Sequence, residues 1–281
     1  MKTRVISAAV ALVLLAAAMY FYRTVAFEIL IAVISAIGVY EMFSAKGMNK
    51  TVKGITITGV IFAAAIVFNV YDEFDKYFPI VAIAAVIVMF ALQLKNFDKI
   101  KFELIAYGMA VSVLIPLSLS SLAFIKKDFT DYASGLFYIL LAFAGAWVPD
   151  TGAYFAGRAF GKHKLCPNIS PKKTKEGAVG GVVASVIFFL LYGFVFAEIA
   201  EASGITMQIN YLYLAILALI LTPLSIIGDL SASVVKRQCG IKDYGIIMPG
   251  HGGVMDRFDS VLFVAPATYI FISFLPIVAI I

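Results

Sequence analysis

Three aspartates lie at the ends of apolar segments in the C-terminal half of the chain. Asp229 ends one segment, and Asp256 and Asp259 open the next. A helix over the last two would place both carboxylates on one face, because they are three residues apart. Such close carboxylates repel unless a cation lies between them, and oxygen ligands suit Mg²⁺. The three together predict a metal site, although helix capping would explain Asp256 alone.

A glycine turn, Pro249-Gly-His-Gly-Gly253, precedes Asp256. Glycines let backbone N–H groups turn toward an anion, and the N-terminus of a following helix adds its dipole. The turn therefore predicts a phosphate site at Gly250, Gly252 and Gly253, although it is not a Walker A loop. His251 could be a general base, a hydrogen-bond donor to a phosphate or a plain hydrogen-bonded loop residue. We favour the hydrogen-bond donor over the base, since a phosphate monoester nucleophile is already ionised near neutral pH. Polar and cationic neighbours support this reading: Ser233, Lys236, Arg237, Lys242 and Arg257.

A second polar segment runs from Asp150 to Glu176 and contains Ser170-Pro-Lys-Lys-Thr-Lys175. Its hydroxyls and cations could bind phosphate oxygens. By composition alone, contact with lipid headgroups would be the better explanation. Because it accompanies the acidic cluster, we predict that it binds substrate. The candidate residues are Asp150, Arg158, Ser170, Lys172, Lys173 and Lys175.

The chain as a whole has the composition of a membrane protein. Hydrophobic residues make up 62% of the 281 residues and charged residues only 14%, against about 25% charged in soluble domains. The mean hydropathy is +0.99. We predict an all-α polytopic fold with nine transmembrane helices, at about residues 5–22, 25–40, 54–71, 78–94, 102–125, 134–149, 177–197, 211–230 and 258–280.

The charges between these spans predict the orientation. With the N-terminus in the cytoplasm and the C-terminus outside, the inside segments hold all of the 22 Lys and Arg residues except Arg23, Lys76, Lys126 and Lys127. This bias follows the positive-inside rule. As an alternative, the first span is a cleaved signal peptide, which leaves the other loops unchanged. Cys166 and Cys239 both fall in the predicted cytoplasmic loops, so we expect free thiols.

Two predicted loops, 150–176 and 231–257, are much longer than the other connections, and loops of this length are often functional. We predict three parts of the chain. Residues 1–75 form N-terminal transmembrane helices, 76–134 form middle helices with possible dimer contacts, and 135–281 form a catalytic region that includes both loops. Oxygen metal ligands, fixed cations and a glycine turn at one membrane face suit phosphoryl or nucleotidyl transfer to a lipid.

The residues of the two polar segments resemble the phosphatidate cytidylyltransferase family, also called CDP-diacylglycerol synthases. The resemblance is specific over about residues 150–260. One part of it is the segment from Asp150-Thr-Gly-Ala-Tyr-Phe through Ile-Ser-Pro-Lys-Lys-Thr to Glu-Gly177. The other is the order and spacing of Ser233, Lys236, Arg237, Lys242, Asp243, His251, Gly252, Gly253, Asp256, Arg257 and Asp259.

The resemblance implies transfer of the cytidylyl group of CTP to phosphatidic acid, giving CDP-diacylglycerol and pyrophosphate for phospholipid biosynthesis. It implies a multi-span homodimer in the inner (cell) membrane, with its active site facing the cytoplasm. It also implies Mg²⁺ at Asp256 and Asp259 with Asp229 nearby, and a second cation such as K⁺. Lys172, Lys173, Arg237, Lys242 and Arg257 would neutralise the phosphates.

Two other functions stay open from the residues alone. A CTP-dependent lipid-alcohol kinase would use a similar site but transfer the γ-phosphate. A non-catalytic lipid transporter is less consistent with charges that cluster at one face, because transporters place polar groups near the bilayer midplane. We expect no nucleic-acid partner, since no basic stretch is interleaved with stacking aromatic residues.

Overall fold

The structure is a computed structural model that describes residues 2–281, with side chains from residue 9 onward except 11 and 12. Twelve α-helices account for most of the described chain, with one 3₁₀ turn at Phe68–Val70 and four short strands. In chain order the elements are α1 (Lys2–Tyr20), α2 (Ala26–Ala45), α3 (Met48–Thr51), α4 (Lys53–Val67), α5 (Asp72–Asp75), α6 (Phe78–Lys95), α7 (Phe102–Asp128), α8 (Tyr132–Phe160), β1 (Lys164–Cys166), β2 (Ser170–Thr174), α9 (Lys175–Ala202), β3 (Met207–Ile209), α10 (Tyr211–Gln238), α11 (Met255–Phe258), α12 (Val261–Phe274) and β4 (Val278–Ile280).

The predicted all-α polytopic membrane fold is confirmed. Within the described residues, seven helices are long and apolar enough to cross a membrane, namely α2, α4 with its 3₁₀ extension, α6, α7, α8, α9 and α10. Helix α12 is also apolar, but it has 14 residues and is therefore about 21 Å long, shorter than the ~30 Å hydrocarbon core. The count of nine spans and the orientation of the termini stay predictions.

The predicted boundaries of the two long loops are wrong. Helix α8 continues without a break through residues 150–160, and α10 continues through residues 231–238. Polar residues end an apolar span but do not end a helix, because Asp, Arg and Ser cost only a fraction of a kcal/mol in helix propensity. Several of the predicted site residues therefore lie on helices and not on loops.

The segment between α8 and α9 forms a β-hairpin that the sequence analysis did not anticipate. Strand β1 pairs antiparallel with β2, with Lys164 opposite Thr174 and Cys166 opposite Ser170. Thr174 then caps α9, because its Oγ1 accepts a hydrogen bond of 3.1 Å from the N–H of Gly177. The hairpin thereby carries Lys172 and Lys173 directly to the start of α9.

The predicted last span, 258–280, is too long. Helix α12 ends at Phe274, two residues before Pro276, and the chain then forms β4 against β3. Proline has no N–H and restricts the residue before it to extended conformations, so the helix cannot continue. Tyr138 of α8 fixes this end, because its hydroxyl oxygen accepts hydrogen bonds from the N–H groups of Ile277 and Val278, at 3.0 and 2.9 Å.

The chain divides into two compact units, which are described separately. The first comprises residues 1–124 and 238–258. Its core is formed by apolar side chains of α2, α4, α6 and α7, among them Phe43, Ile55, Phe62, Met89 and Ile105. The residues 238–258, which contain the glycine turn, belong to this unit. The three-part division at residues 75 and 134 stays a prediction.

The second unit comprises residues 125–237 and 259–281. Fully buried residues of α8, α10 and α12 form its core, among them Phe137, Leu141, Leu217, Leu221 and Val264. Helices α8 and α9 approach closely because small residues face each other. A Cβ on Gly152 would overlap Ala184, and one on Gly180 would overlap Ala156.

Candidate active site

A cavity of about 420 Å³ in the second unit brings together residues from both polar segments of the sequence. Helix α8, the hairpin, the start of α9 and helix α10 all contribute to its wall. Seven of the predicted site residues line it: Asp150, Arg158, Ser170, Lys172, Lys173, Asp229 and Ser233. Residues that are far apart in the sequence therefore line one cavity, with charged side chains in its wall.

Lys173 connects the two sides of this cavity. Its Nζ lies 2.7 Å from Oδ2 of Asp229 and 3.4 Å from Oδ1 of Asp150. Burial alone would lower the pKa of Lys173, but the two carboxylates outweigh it and raise the pKa above its usual value. Lys173 is therefore a permanent cation, held by one acid of α8 and one of α10.

Asp259 lies next to Asp229 because α10 has no side chain at position 228. A Cβ on Gly228 would stand 2.8 Å from the carbonyl oxygen of Asp259 and 2.9 Å from the Cα of Ser260. The hydroxyl of Ser260 also donates a 3.0 Å hydrogen bond to the carbonyl of Ser225 on α10. The close approach of α10 to the start of α12 thus sets the spacing of the two acids.

The charge on Asp259 is poorly compensated. Burial first, and then the nearby Asp229, raise the pKa of Asp259 to about 7, although the Ser260 N–H and Lys236 act against them. A divalent cation between Asp229 and Asp259 would offset the repulsion between the two carboxylates. Their oxygen atoms are the ligands that Mg²⁺ prefers, often with only one or two carboxylates and the substrate phosphates.

This pair of acids fits a magnesium ion by its chemistry. Among the residues that the structure describes, no group of three or more His, Cys, Asp or Glu side chains converges as a metal cluster. In the second unit, Asp229 and Asp259 would offer carboxylate oxygens to such an ion, and the remaining coordination positions would go to phosphate oxygens or water.

The other predicted cations differ in their surroundings. Lys236 is half-buried and acts on Asp259 electrostatically. Five other predicted site cations are exposed. They are Arg158, Lys175 and Arg237 in the second unit, and Lys242 and Arg257 in the first.

The glycine loop, residues 244–255, lies in the first unit. His251 N–H donates to the carbonyl of Met248 at 2.8 Å, and Met248 N–H donates to that of Gly252 at 2.9 Å. The first bond closes a turn with Pro249 second and Gly250 third, where φ is +79°. A type II turn needs a positive φ at its third residue, and glycine adopts it without strain. The half-buried His251 is the fourth residue of this turn.

Asp256 organises this loop. Its buried Oδ2 accepts hydrogen bonds from the N–H groups of Tyr244, at 2.8 Å, and Gly253, at 3.0 Å. The N–H of Gly253 is thus already hydrogen-bonded within the loop. Fewer backbone N–H groups of the loop therefore remain to bind a phosphate. The metal role predicted for Asp256 stays a prediction, and the structure adds a loop-holding role to it.

Sequence reasoning missed three features of the site. The first is the ion pair of Lys173 with Asp229, and the second is the close approach at Gly228. The third is Glu41 of α2, a buried acid that hydrogen-bonds to the glycine loop. Only Glu41 had a sequence signal, because an acid inside an apolar span is rarely without a function.

The chain is similar to known proteins over nearly its whole length. The profile of the cytidylyltransferase family matches residues 2–275. The phosphatidate cytidylyltransferase of Haemophilus influenzae is 28% identical over 284 residues, covering 95% of this chain and 96% of the relative. That of Staphylococcus epidermidis is 33% identical over 220 residues, covering 76% and 79%. That of Staphylococcus saprophyticus is 41% identical over 184 residues, covering 62% and 67%.

Proposed function

Since the chain belongs to the cytidylyltransferase family, we infer that it transfers the cytidylyl group of CTP to phosphatidic acid, giving CDP-diacylglycerol and pyrophosphate. The polar cavity of the second unit is the observation that carries this assignment beyond the family level. It joins three cations, Arg158, Lys172 and Lys173, to the acid Asp229. A multi-pass membrane protein with such a cavity can take one substrate from the lipid and one with several phosphates from water.

In the reaction, a phosphate oxygen of phosphatidic acid forms a bond to the α-phosphorus of CTP. The bond from this phosphorus to the bridging oxygen of the β-phosphate breaks, and pyrophosphate leaves with that electron pair. The chain needs no side-chain nucleophile, because the attacking phosphate is already ionised near pH 7. Its residues act by orienting the two phosphates and by stabilising charge.

Lys173 supplies fixed positive charge, since Asp150 and Asp229 prevent it from turning away. Lys172 and Arg158 line the same cavity and are exposed. Their side chains can therefore turn toward an incoming phosphate. An arginine can bind two phosphate oxygens at once. The roles of Arg237, Lys242, His251 and Arg257 as further phosphate contacts are those predicted from the sequence.

Asp229 and Asp259 would hold Mg²⁺, with Asp256 as the third predicted ligand. The ion, when bound, would supply positive charge to phosphate oxygens. The uncompensated charge at Asp259 supports this assignment. A second, monovalent cation such as K⁺ is part of the proposal on the family resemblance alone.

The deciding experiment uses purified protein, phosphatidic acid in detergent and Mg²⁺, with CTP labelled at the α-phosphate. We expect label in the lipid phase, and none when a chelator is present. Label that enters lipid from γ-labelled CTP instead would identify a lipid kinase. Absence of transfer from either position, with the protein intact, would leave a non-catalytic lipid transporter.

We also propose that the N-terminus and the active site face the cytoplasm in the inner membrane, because Lys and Arg concentrate in the segments assigned to that side. The free thiols Cys166 and Cys239 provide the test. A membrane-impermeant maleimide should label them in inside-out vesicles and not in intact cells. A cysteine introduced at Asp75, in an outside segment, should show the reverse pattern.

The protein is further proposed to act as a homodimer, on the family resemblance. Light scattering of the protein–detergent complex measures the mass of the protein part directly. A mass near 30 kDa, that of one chain, would contradict the dimer, whereas twice that mass would support it.

A further inference from the structure

Glu41 is a buried acid that the proposed mechanism does not use. It lies near the C-terminal end of α2, a mostly apolar helix whose other charged residue is Glu28, and only 3% of its surface is exposed. Charged residues are expensive in such segments and mark functional positions by default. The contacts of Glu41 show what the acid does within the first unit.

Both carboxylate oxygens of Glu41 accept hydrogen bonds from the glycine loop. Oε1 accepts from the N–H of Val254 at 3.0 Å, and Oε2 accepts from the N–H of Met255 at 2.7 Å. These two residues lie immediately before Asp256 in the sequence, 213 and 214 positions from Glu41. Hydrogen bonds to a charged group are stronger than neutral ones, so this contact is a firm attachment of the loop to α2.

Two glycines of the loop are shaped to receive this carboxylate. A Cβ on Gly245 or on Gly253 would overlap Oε1 of Glu41. The two glycines also lie against each other, since the same Cβ on Gly245 would be 3.2 Å from the Cα of Gly253. The Glu41 carboxylate therefore fills the space beside Gly245 and Gly253, and a larger residue at position 245 or 253 would occupy that space.

Asp256 completes the arrangement from the other side of the loop. It binds the amides of Tyr244 and Gly253, so Glu41 and Asp256 together hold four backbone N–H groups. The turn that carries His251 lies between these attachment points. Carboxylates thus hold its conformation at both ends, in addition to the buried side chains of Tyr244, Val254 and Met255.

We propose that Glu41 is a positioning residue that holds the glycine loop in the shape that binds the nucleotide. This inference rests on the proposed function, because it takes the loop as a binder of CTP phosphates. A loop released from Glu41 must be ordered anew each time CTP binds, and this entropy is lost from the binding free energy. The effect therefore falls on CTP and spares phosphatidic acid.

The main variant is Glu41→Gln, which keeps the volume but points an NH₂ group toward one of the two backbone donors. Its matched control is Glu28→Gln, on the same helix and equally buried, at 2% exposure. Glu28 lies 13 positions earlier, about 20 Å along the helix, where it hydrogen-bonds to Tyr71. Steady-state kinetics are measured for each substrate separately, with thermal unfolding of each variant.

We expect the KM for CTP to rise by about 10-fold or more in Glu41→Gln, as the loss of one or two charged hydrogen bonds implies. The KM for phosphatidic acid should change by less than about twofold, and Glu28→Gln should leave both values unchanged. If Glu41 only stabilised the fold, Glu41→Gln would lower the fraction of active protein and thus the apparent kcat. The KM for CTP would then change no more than the KM for phosphatidic acid. A KM for CTP within twofold of the wild type would overturn the proposal.

Gly245→Ala keeps the proposal testable if Glu41→Gln does not fold. It disturbs the same contact from the side of the loop, and it should raise the KM for CTP in the same direction. The double variant should then be no worse than the worse single one, because residues that act as one unit are not additive. Full additivity would contradict a shared role.

Hydrogen exchange separates this inference from the proposed function. In the wild-type protein the amides of Val254 and Met255 should be strongly protected, and Glu41→Gln should remove this protection with or without any activity. If the wild type transferred no cytidylyl group, the proposed function would fail, and the CTP-specific effect with it. Unchanged protection in Glu41→Gln would refute the attachment of the loop itself.

Discussion

The ammonium group of Lys173 lies 2.7 Å from the carboxylate of Asp229, and this contact joins a strand of the hairpin to α10 at the end of its apolar segment. The two residues are separated by α9 and most of α10 in the sequence. A second acid, Asp150 of α8, lies 3.4 Å from the same ammonium group. The hairpin is thus attached to both helices through one cation.

Replacing this cation should abolish most of the activity. We expect Lys173→Met to lower kcat by about 100-fold, a usual effect of losing one group that stabilises transition-state charge. The free energy of unfolding should also fall, since Asp229 and Asp150 lose their partner. Lys164→Met is the matched control, because Lys164 is exposed in β1 and does not line the cavity. An equal loss in both variants would mean that the hairpin's overall charge matters, and not this ion pair.

Metal removal should have a pH-dependent effect on stability. The pKa of Asp259 is raised from 3.8 to about 7 in the folded protein, by burial first and Asp229 second. The folded state therefore binds a proton more tightly, and the stability that this contributes is present below about pH 4 and lost as the pH rises to about 7. In a chelator, we expect the Tm to fall between pH 5 and pH 8.

Magnesium should oppose this fall, because the ion takes the place of the proton at Asp259. Its stabilising effect on Tm is thus expected to be larger at pH 8 than at pH 5. Asp259→Asn should abolish turnover, flatten the pH dependence and remove the magnesium effect. Retention of a magnesium-dependent Tm shift in Asp259→Asn would argue against this carboxylate as a ligand.

The close approach at Gly228 gives a prediction about the spacing of the acids. Gly228→Ala would push a methyl group into the backbone of Asp259 and Ser260, which cannot move without shifting the start of α12. We expect kcat to fall by at least 10-fold. Gly193→Ala is the matched control, because its Cβ would meet side chains and no backbone, with the end of the Leu214 side chain the nearest at 2.7 Å. Kinetics of the two variants, with Tm as a folding check, distinguish a displaced acid from a general packing defect.

Tyr138 should contribute to stability and not to catalysis. Tyr138→Phe leaves the N–H groups of Ile277 and Val278 without their acceptor, which costs about 1–3 kcal/mol for an unsatisfied buried group. Tyr192→Phe is a milder change, because the Tyr192 hydroxyl donates to a carbonyl inside α8 that already has a helical partner. Denaturation of both variants should show the larger loss for Tyr138→Phe, with unchanged KM values in each.

The sequence predicted the spans better than their ends. An apolar run long enough to cross a membrane is a local property. Hydropathy therefore located both ends of α4 with its 3₁₀ extension, α6 and α7 closely, and it missed the C-terminal ends of α2 and α9 by more. The ends of α8 and α10 were misplaced because polar residues leave the membrane without leaving the helix. The break after Phe274 did have a local signal, in Pro276, which a hydropathy window averages over.

The site could be predicted in its residue types but not in its contacts. The motif pattern indicated that Lys173, Asp229 and Asp259 belong to the site. Nothing local indicated that Lys173 pairs with Asp229, or that Glu41 meets Val254, because such contacts depend on how distant helices pack. A buried acid in an apolar helix was the one available hint, and it identifies a position without identifying its partner.

The continuation of α8 and α10 past their apolar runs has a consequence for how such chains can change in length. Asp150 lies on α8 and Asp229 on α10. The buried residues before each acid fix the rotation of its helix about the helix axis. One residue inserted between Leu221 and Asp229 would turn the acid by about 100° and move it by about 1.5 Å, away from Lys173. The three residues 167–169 at the hairpin tip carry no such angular constraint. Insertions and deletions should therefore be tolerated at the hairpin tip. A one-residue insertion or deletion in α8 or α10 before its acid should not be tolerated.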